Sequence, residues 1–271
     1  MKMPGYWPIK EVVVFKPVFK PLSLALLTTA FVALMGCKCR IAAASQLDAQ
    51  ALKVFTSEMQ QTLQRSVALA DTGEQIGVVL LVVNLNRQSA PTRCQVKKAP
   101  LKYDALLPYD EKPSNYQALA SLVESLCWTT IYPTVPDGLY DQHGNVAVQA
   151  PIIVALPRAS QASGTPRRRA NAQRQFFWEH LLRDQSVSSI GTASVFYEAN
   201  ALGKVDGCLV QLSPYPLRTD AFRLDGHLQA ELNNRCMQLD LSRMPGFVAD
   251  EHGRAKGSSV VDYAPWKVGR Q

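Results

Sequence analysis

The sequence lacks the short motifs that mark the common enzyme classes. Its 271 residues contain no phosphate-binding loop, no Rossmann glycine pattern, no metalloprotease helix and no serine in a nucleophile elbow. Cys-x-x-Cys spacing is missing as well, which excludes the usual redox and zinc-ligand patterns. These absences favour a protein that binds over one that catalyses.

A long apolar run is also missing. Leu22 to Gly36 is uncharged, but it is shorter than the roughly 20 residues that a membrane-crossing helix needs. Because lysines precede it, residues 1–36 have the layout of an export signal peptide. A retained N-terminal anchor and cleavage after Ala44 are the alternatives.

The end of this run, Leu34-Met35-Gly36-Cys37, resembles the lipobox of bacterial lipoproteins. The resemblance implies lipidation of Cys37, a periplasmic location and a lipid anchor in a membrane. Lys38 after the cysteine implies sorting to the outer membrane. Cys37 and Cys39 are an alternative metal pair, but no nearby Cys or His completes a tetrahedral site. We therefore expect no metal and no cofactor.

The chain repeats its own plan once. Ile76-Gly77, Cys94, Cys127 and Asp141-Gln142-His143-Gly144 recur as Ile190-Gly191, Cys208, Cys236 and Asp250-Glu251-His252-Gly253, with offsets of 114, 114, 109 and 109. A fixed period indicates two copies of one structural unit. The predicted layout is a signal peptide at 1–36, a first module at 46–157, a linker at 158–172, a second module at 173–266 and a tail at 267–271.

The linker is predicted from its content of Arg, Ser, Pro and Gly. Arg167, Arg168 and Arg169 are alternatively a patch for nucleic acid or anionic lipid. No aromatic residue interleaves them and an exported chain meets little nucleic acid, so we expect no nucleic-acid partner. Removing residues 1–36 takes four lysines and one glutamate from the formal charge of +7, which leaves +4.

Four cysteines remain outside the N-terminus, and four allow three pairings. A copied unit carries its bridge with it, which favours Cys94–Cys127 and Cys208–Cys236. Each bridge closes a loop of about 30 residues, worth on the order of 3–4 kcal/mol. Four free thiols are the alternative, and an oxidising compartment disfavours them.

The hydrophobic pattern within each copy predicts an α+β fold. Val78 to Val83 and Thr192 to Asn200 have the composition of strands, and the stretches around Cys94 and Cys208 return as the second strands of hairpins. Helices then begin near Ser114 and Asp225. An extended piece ending at Pro136 or Pro245, the Asp-x-His-Gly turn and a last strand complete the order β-β-α-β-β.

One more amphipathic helix is predicted ahead of each copy. We interpret its apolar stripe as a packing face rather than a membrane-binding face. The stripes are Leu52, Phe55, Met59, Leu63 and Val67 in the first helix, and Phe176, Phe177, His180 and Leu181 in the second.

The second copy resembles the C-terminal domain of the TonB and TolA family. The matching residues are Gly203-Lys204-Val205, Leu224-Asp225, Pro245 and Gly253. The first copy departs from the pattern, with Asn86-Arg87-Gln88 at the glycine turn and an insertion from Lys102 to Pro113. The resemblance implies two tandem TonB-C-terminal-like modules, each with a small antiparallel sheet packed on helices. Proton-motive coupling is not implied, because the chain lacks the family's long Pro-rich span.

His143 and His252 occupy equivalent places, which suggests a catalytic or metal-binding role. Each directly precedes a glycine in a predicted tight turn, where polar residues serve the backbone, and we assign no catalytic residue. A hydrolase triad of Asp250, His252 and Ser258 is the alternative, although no nucleophile elbow frames the serine.

We therefore expect a non-catalytic, lipid-anchored periplasmic protein that binds another envelope protein or peptide. The assembly would serve transport, secretion or envelope maintenance, and edge-strand addition is the natural docking mode. The aromatic residues at predicted strand edges are expected to pack in or around the core; they are Trp128, Tyr132, Tyr263 and Trp266. The alternative function is a periplasmic immunity or inhibitor lipoprotein against a toxin or hydrolase.

Overall fold

The computed structural model of the chain describes residues 38–70, 75–107, 113–155 and 164–268. The first repeat, residues 38–155, contains α1 (Lys38–Leu69), β1 (Gly77–Leu85), β2 (Pro91–Lys98), α2 (Tyr116–Thr129) and β3 (Val146–Val154). The second repeat, residues 164–268, contains α3 (Gly164–Phe177), β4 (Gly191–Asn200), β5 (Val205–Pro214), α4 (Gly226–Met237) and β6 (Arg254–Tyr263). Cys37 and the signal peptide lie outside the described residues, so lipidation stays a prediction.

Each repeat builds one antiparallel sheet of three strands, in the orders β2-β1-β3 and β5-β4-β6. The registers match residue for residue. Gly77 faces Val154 as Gly191 faces Tyr263, and Val83 faces Cys94 as Tyr197 faces Cys208. Even the ladder irregularity recurs, after Asn84 and after Glu198. The α+β class with two small antiparallel sheets is confirmed.

The predicted β-β-α-β-β order is wrong in one element, because each sheet in the described part of the chain has three strands. The segment before Pro136 forms no ladder, and its counterpart contains the 3₁₀ helix Leu241–Arg243. Asp240 caps that helix by accepting from the Ser242 N–H at 3.0 Å. Local side-chain bonds of this kind compete with strand pairing, and one isolated bridge, Lys204 to Asp240, is all that forms there.

One face of each sheet is buried under helices. Alternate residues of β1 are buried from Gly77 to Leu85, the period of a half-buried strand. The helix stripe predicted ahead of the second repeat differs at His180, which is exposed and stacks on Phe176 with ring centroids 4.2 Å apart. The π-helical turn Trp178–Leu182 shifts the later residues around the axis, so that Leu182 is buried beside the predicted Leu181.

The structure pairs Cys94 with Cys127 and Cys208 with Cys236, as the duplication predicts. The Cα atoms lie 6.1 and 5.9 Å apart, within the normal range for a disulfide. Each bridge fastens the end of a helix to the second strand of its sheet.

The predicted linker at 158–172 differs from expectation where it is described, because α3 already begins at Gly164. Arg167 Nε donates to the Ala68 carbonyl at 3.0 Å, and Asn171 Nδ2 donates to the Ala70 carbonyl at 3.3 Å. These carbonyls end α1, where the last turn has no helical donors. The arginine segment therefore caps α1 and links the two repeats.

A second set of contacts packs the repeats together. Ile131 of the first repeat lies in an apolar cluster with Ile190, Tyr215 and Ala264 of the second. Trp266 Nε1 donates to the Thr130 carbonyl at 3.2 Å. Arg218, which is 4 % exposed, donates from Nη1 to the Gln88 and Tyr132 carbonyls at 3.1 and 3.4 Å. Trp266 thus lies at a junction between repeats rather than on a free strand edge.

Candidate binding site

The three-stranded sheets leave four edge strands, β2, β3, β5 and β6. On an antiparallel edge strand every second residue directs its N–H and C=O away from the sheet. These outward groups are where another strand can pair. Their partners therefore decide which edge is open.

Helix α4 covers the edge of β5 and α2 covers that of β2. Asn233 Oδ1 accepts the Val210 N–H at 2.7 Å, and Gln229 Oε1 accepts the Leu212 N–H at 3.2 Å. In the first repeat, the Tyr116 hydroxyl donates to the Val96 carbonyl at 3.2 Å. Side chains thus occupy outward backbone groups on both edges.

Two outward carbonyls of β6 also accept side-chain hydrogen bonds. Arg174 Nε, on α3, donates to the Val260 carbonyl at 3.1 Å. Lys267 Nζ donates to the Asp262 carbonyl at 2.6 Å. Burial lowers the pKa of the Lys267 ammonium to about 8. The first residues of the predicted tail at 267–271 therefore belong to the folded second repeat. Lys267 hydrogen-bonds to β6, and Val268 packs against the hydrophobic core of that repeat.

The β3 edge is different. The two repeats share one register, so the residues of β3 that point outward can be read from β6. Pro151 is equivalent to Val260, whose carbonyl points outward, and every second residue shares this direction. The outward residues of β3 are therefore Ala147, Gln149, Pro151 and Ile153. At the position equivalent to Arg174, the first repeat has Gln60. Among the described residues, no side chain hydrogen-bonds to the backbone of β3. The open edge therefore belongs to β3 in the described part of the chain.

Pro151 removes one backbone N–H donor from this open edge. Its missing N–H would point away from β1, so proline costs the sheet no ladder bond there. The outer edge keeps the carbonyls of all four outward residues and the N–H groups of three. Proline on an edge strand also discourages indiscriminate pairing.

An apolar groove runs beside this edge. Its floor is the β3 segment Ala150 to Ile153 and its other wall is α1. Tyr103 and Leu106, from the 3₁₀ helix Leu101–Leu106, line one end. Leu106 is 39 % exposed. A free backbone edge beside an apolar groove can accept the main chain and the alternate side chains of an extended peptide.

His143 and His252 lie in tight turns that the side chains of Asp141 and Asp250 hold. Asp141 Oδ1 accepts the N–H groups of His143 and Asn145, both at 2.9 Å, and these bonds help to lower the pKa of the Asp141 carboxyl. Asp250 Oδ1 accepts the N–H groups of His252 and Arg254 at the same distance. Gly144 and Gly253 follow with φ of +72° and +71°. The His252 side chain is 79 % exposed.

The triad alternative and the aromatic residues can now be placed. Both Asp250 bonds go to the turn backbone, and Ser258 lies on β6 opposite Phe196. Tyr132 and Tyr263 are fully buried core residues, as expected. Among the described residues, no three His, Cys, Asp or Glu side chains lie close enough to hold a metal ion.

Comparisons with protein-family models, with curated proteins and with solved structures find no match for this chain. The TonB and TolA resemblance therefore stays a prediction. In the described ranges, no helix has both the length and the apolar character needed to cross a membrane.

The open edge was not found from the sequence, although one signal for it was present. Aligning the copies at the 114 and 109 offsets sets Gln60 against Arg174 and Pro151 against Val260. These two differences remove the arginine cover and one backbone donor from the first repeat.

Proposed function

We propose that this chain is a non-catalytic binding protein of the bacterial envelope that holds an extended segment of another envelope protein along β3. The observation that carries the proposal is the contrast between edges. Helix or tail side chains bond the outer backbone of β2, β5 and β6, whereas the described residues leave that of β3 open beside an apolar groove. The predicted lipid anchor at Cys37 would hold this site at the periplasmic face of the outer membrane.

The segment that fits is an extended peptide with apolar residues at alternate positions. Its backbone would continue the β1–β3 ladder as a fourth strand, and one row of its side chains would face the groove. Duplication supplies a second repeat that packs on the first. Assembly roles in transport, secretion or envelope maintenance are consistent with such a site.

Photo-crosslinking in the native host tests the proposal. A photoreactive residue at position 149, on the open edge, is expected to form adducts with one or a few specific envelope proteins. The matched control is position 260 on β6, the counterpart of Pro151, because Arg174 of α3 already bonds its outward carbonyl. Equal adducts at both positions, or adducts only with abundant neighbours, would contradict the proposal.

A substitution on the same edge provides the second readout. Gln149→Pro removes an outward N–H without removing a β1 ladder bond, so the fold should persist and partner capture should fall several-fold. Circular dichroism checks the fold, and Ser258→Pro is the matched control. Unchanged capture by the Gln149→Pro variant would exclude β3 as the docking edge.

A further inference from the structure

Two glutamines on α1 line the apolar groove beside β3. Gln60 and Gln64 stand four residues apart on one side of the helix, next to Leu63 and Val67. All other residues that line the groove are apolar or aromatic. Within the described ranges, neither glutamine amide has a hydrogen-bond partner. Two amides with unused hydrogen-bonding groups thus line the groove that can hold a peptide.

The equivalent pair in the second repeat is engaged. Arg174 and Trp178 stand 114 positions after the two glutamines. Arg174 Nε donates to the Val260 carbonyl at 3.1 Å, and Lys267 Nζ lies 4.8 Å from the centroid of the Trp178 ring. In the second repeat, this side of the helix therefore binds a strand edge and the segment after it. In the first repeat, the same side carries amides that have no partner in the described part of the chain.

Helix α4 shows what a pair of amides at this spacing can bind. Gln229 Oε1 accepts the Leu212 N–H at 3.2 Å, and Asn233 Oδ1 accepts the Val210 N–H at 2.7 Å. Four residues of helix rise about 6 Å, and two residues of strand rise about 6.8 Å. Two amides four residues apart on a helix therefore match two alternate N–H groups of a strand that runs along it.

We propose that Gln60 and Gln64 bind the main chain of the peptide held along β3, by accepting two alternate N–H groups on its outer edge. This inference rests on the proposed function and names the chemistry of the ligand. β3 binds one edge of the peptide and α1 binds the other, so the ligand is recognised mainly through its backbone. Its side chains are constrained in two ways. The row that faces the groove is apolar, and the two residues that donate to the glutamines are not proline, because proline has no N–H.

Photo-crosslinking from position 149 in the native host tests this inference. Replacing both glutamines by the changes Gln60→Leu and Gln64→Leu keeps a similar volume but removes the acceptors. Adducts with the specific partner should therefore fall at least about fivefold. Urea unfolding should be unchanged, because neither amide is hydrogen-bonded in the free protein. The matched control is Gln61→Leu, which should keep the parent yield, because Gln61 is exposed on the same helix and lies outside the groove.

A second variant separates hydrogen bonding from packing. Gln60→Glu combined with Gln64→Glu keeps acceptor oxygens at both positions and removes the amide donors. Because peptide N–H groups need only an acceptor, the adduct yield of this variant should stay within about twofold of the parent yield.

The outcomes separate this inference from the docking site itself. If the parent protein gives specific adducts and the leucine variant gives as many, the glutamines do not bind the peptide, while the proposed function stands. If the glutamate variant loses as much yield as the leucine variant, the glutamines are not acceptors and the inference is wrong. If the parent protein gives no specific adduct, docking on β3 fails and this inference fails with it.

Discussion

Replacing Arg218 with methionine is expected to lower the free energy of unfolding by about 2–3 kcal/mol. The side chain is 5 % exposed, and its guanidinium bonds two carbonyls of the other repeat and the Asp220 carboxylate at 3.3 Å. Methionine fills a similar length but donates nothing, so the buried Tyr132 carbonyl loses its charged partner. Urea denaturation followed by circular dichroism measures the loss.

Arg183→Met is the matched control for this substitution. Arg183 pairs with Asp184 at 3.6 Å, but both side chains are about half exposed or more, so the expected change stays within about 0.5 kcal/mol. A loss for Arg218→Met as small as that of the control would mean that the contact between repeats contributes little. The packed arrangement of the two repeats would then lack its main polar anchor.

Gly203→Ser is expected to cost about 2–4 kcal/mol of unfolding free energy. Gly203 has φ of +79°, a left-handed conformation that side chains disfavour. A Cβ there would also overlap the backbone N–H of Ser242, in the 3₁₀ helix that packs on the turn. Because a backbone atom cannot rotate aside, the helix itself must shift. Thermal and urea unfolding both report the change.

The matched control is Ser89→Gly at the equivalent turn of the first repeat. Ser89 already holds a left-handed φ of +54°, and its hydroxyl accepts the Val135 N–H at 3.1 Å. Glycine relieves the backbone but loses this bond, so the net change should stay within about 1 kcal/mol. A neutral Gly203→Ser variant would contradict the packing of the 3₁₀ helix on this turn.

The first hairpin turn of each repeat shows how much of a local structure the sequence predicts. Asn86 and Asn200 each accept two backbone N–H groups at about the same distances, 2.9 and 3.0 Å in the first repeat and 3.0 and 3.1 Å in the second. In the sequence, only the second copy has a glycine at this turn. The structure shows the same turn in both copies, because Ser89 adopts the left-handed conformation that Gly203 has.

The contacts between the repeats could not be predicted from the repeat pattern, because they involve positions at which the two copies have different residues. Ile131 packs in the cluster between repeats, whereas its counterpart, Asp240, is exposed and caps a 3₁₀ helix. Tyr215 is buried in that cluster, and its counterpart Leu101 is 85 % exposed. A repeat pattern predicts what the copies share and is silent on such differences.

The amino-acid pattern was sufficient for the features that depend on neighbours in the chain or on the repeat itself. These are the strand and helix order up to the last helix, the Asp-x-His-Gly turns and the pairing of cysteines within each copy. Long-range packing settled the rest. A strand becomes an open edge and an arginine becomes buried according to which side chains of distant segments pack against them. Those contacts depend on geometry in three dimensions, which a one-dimensional period does not contain.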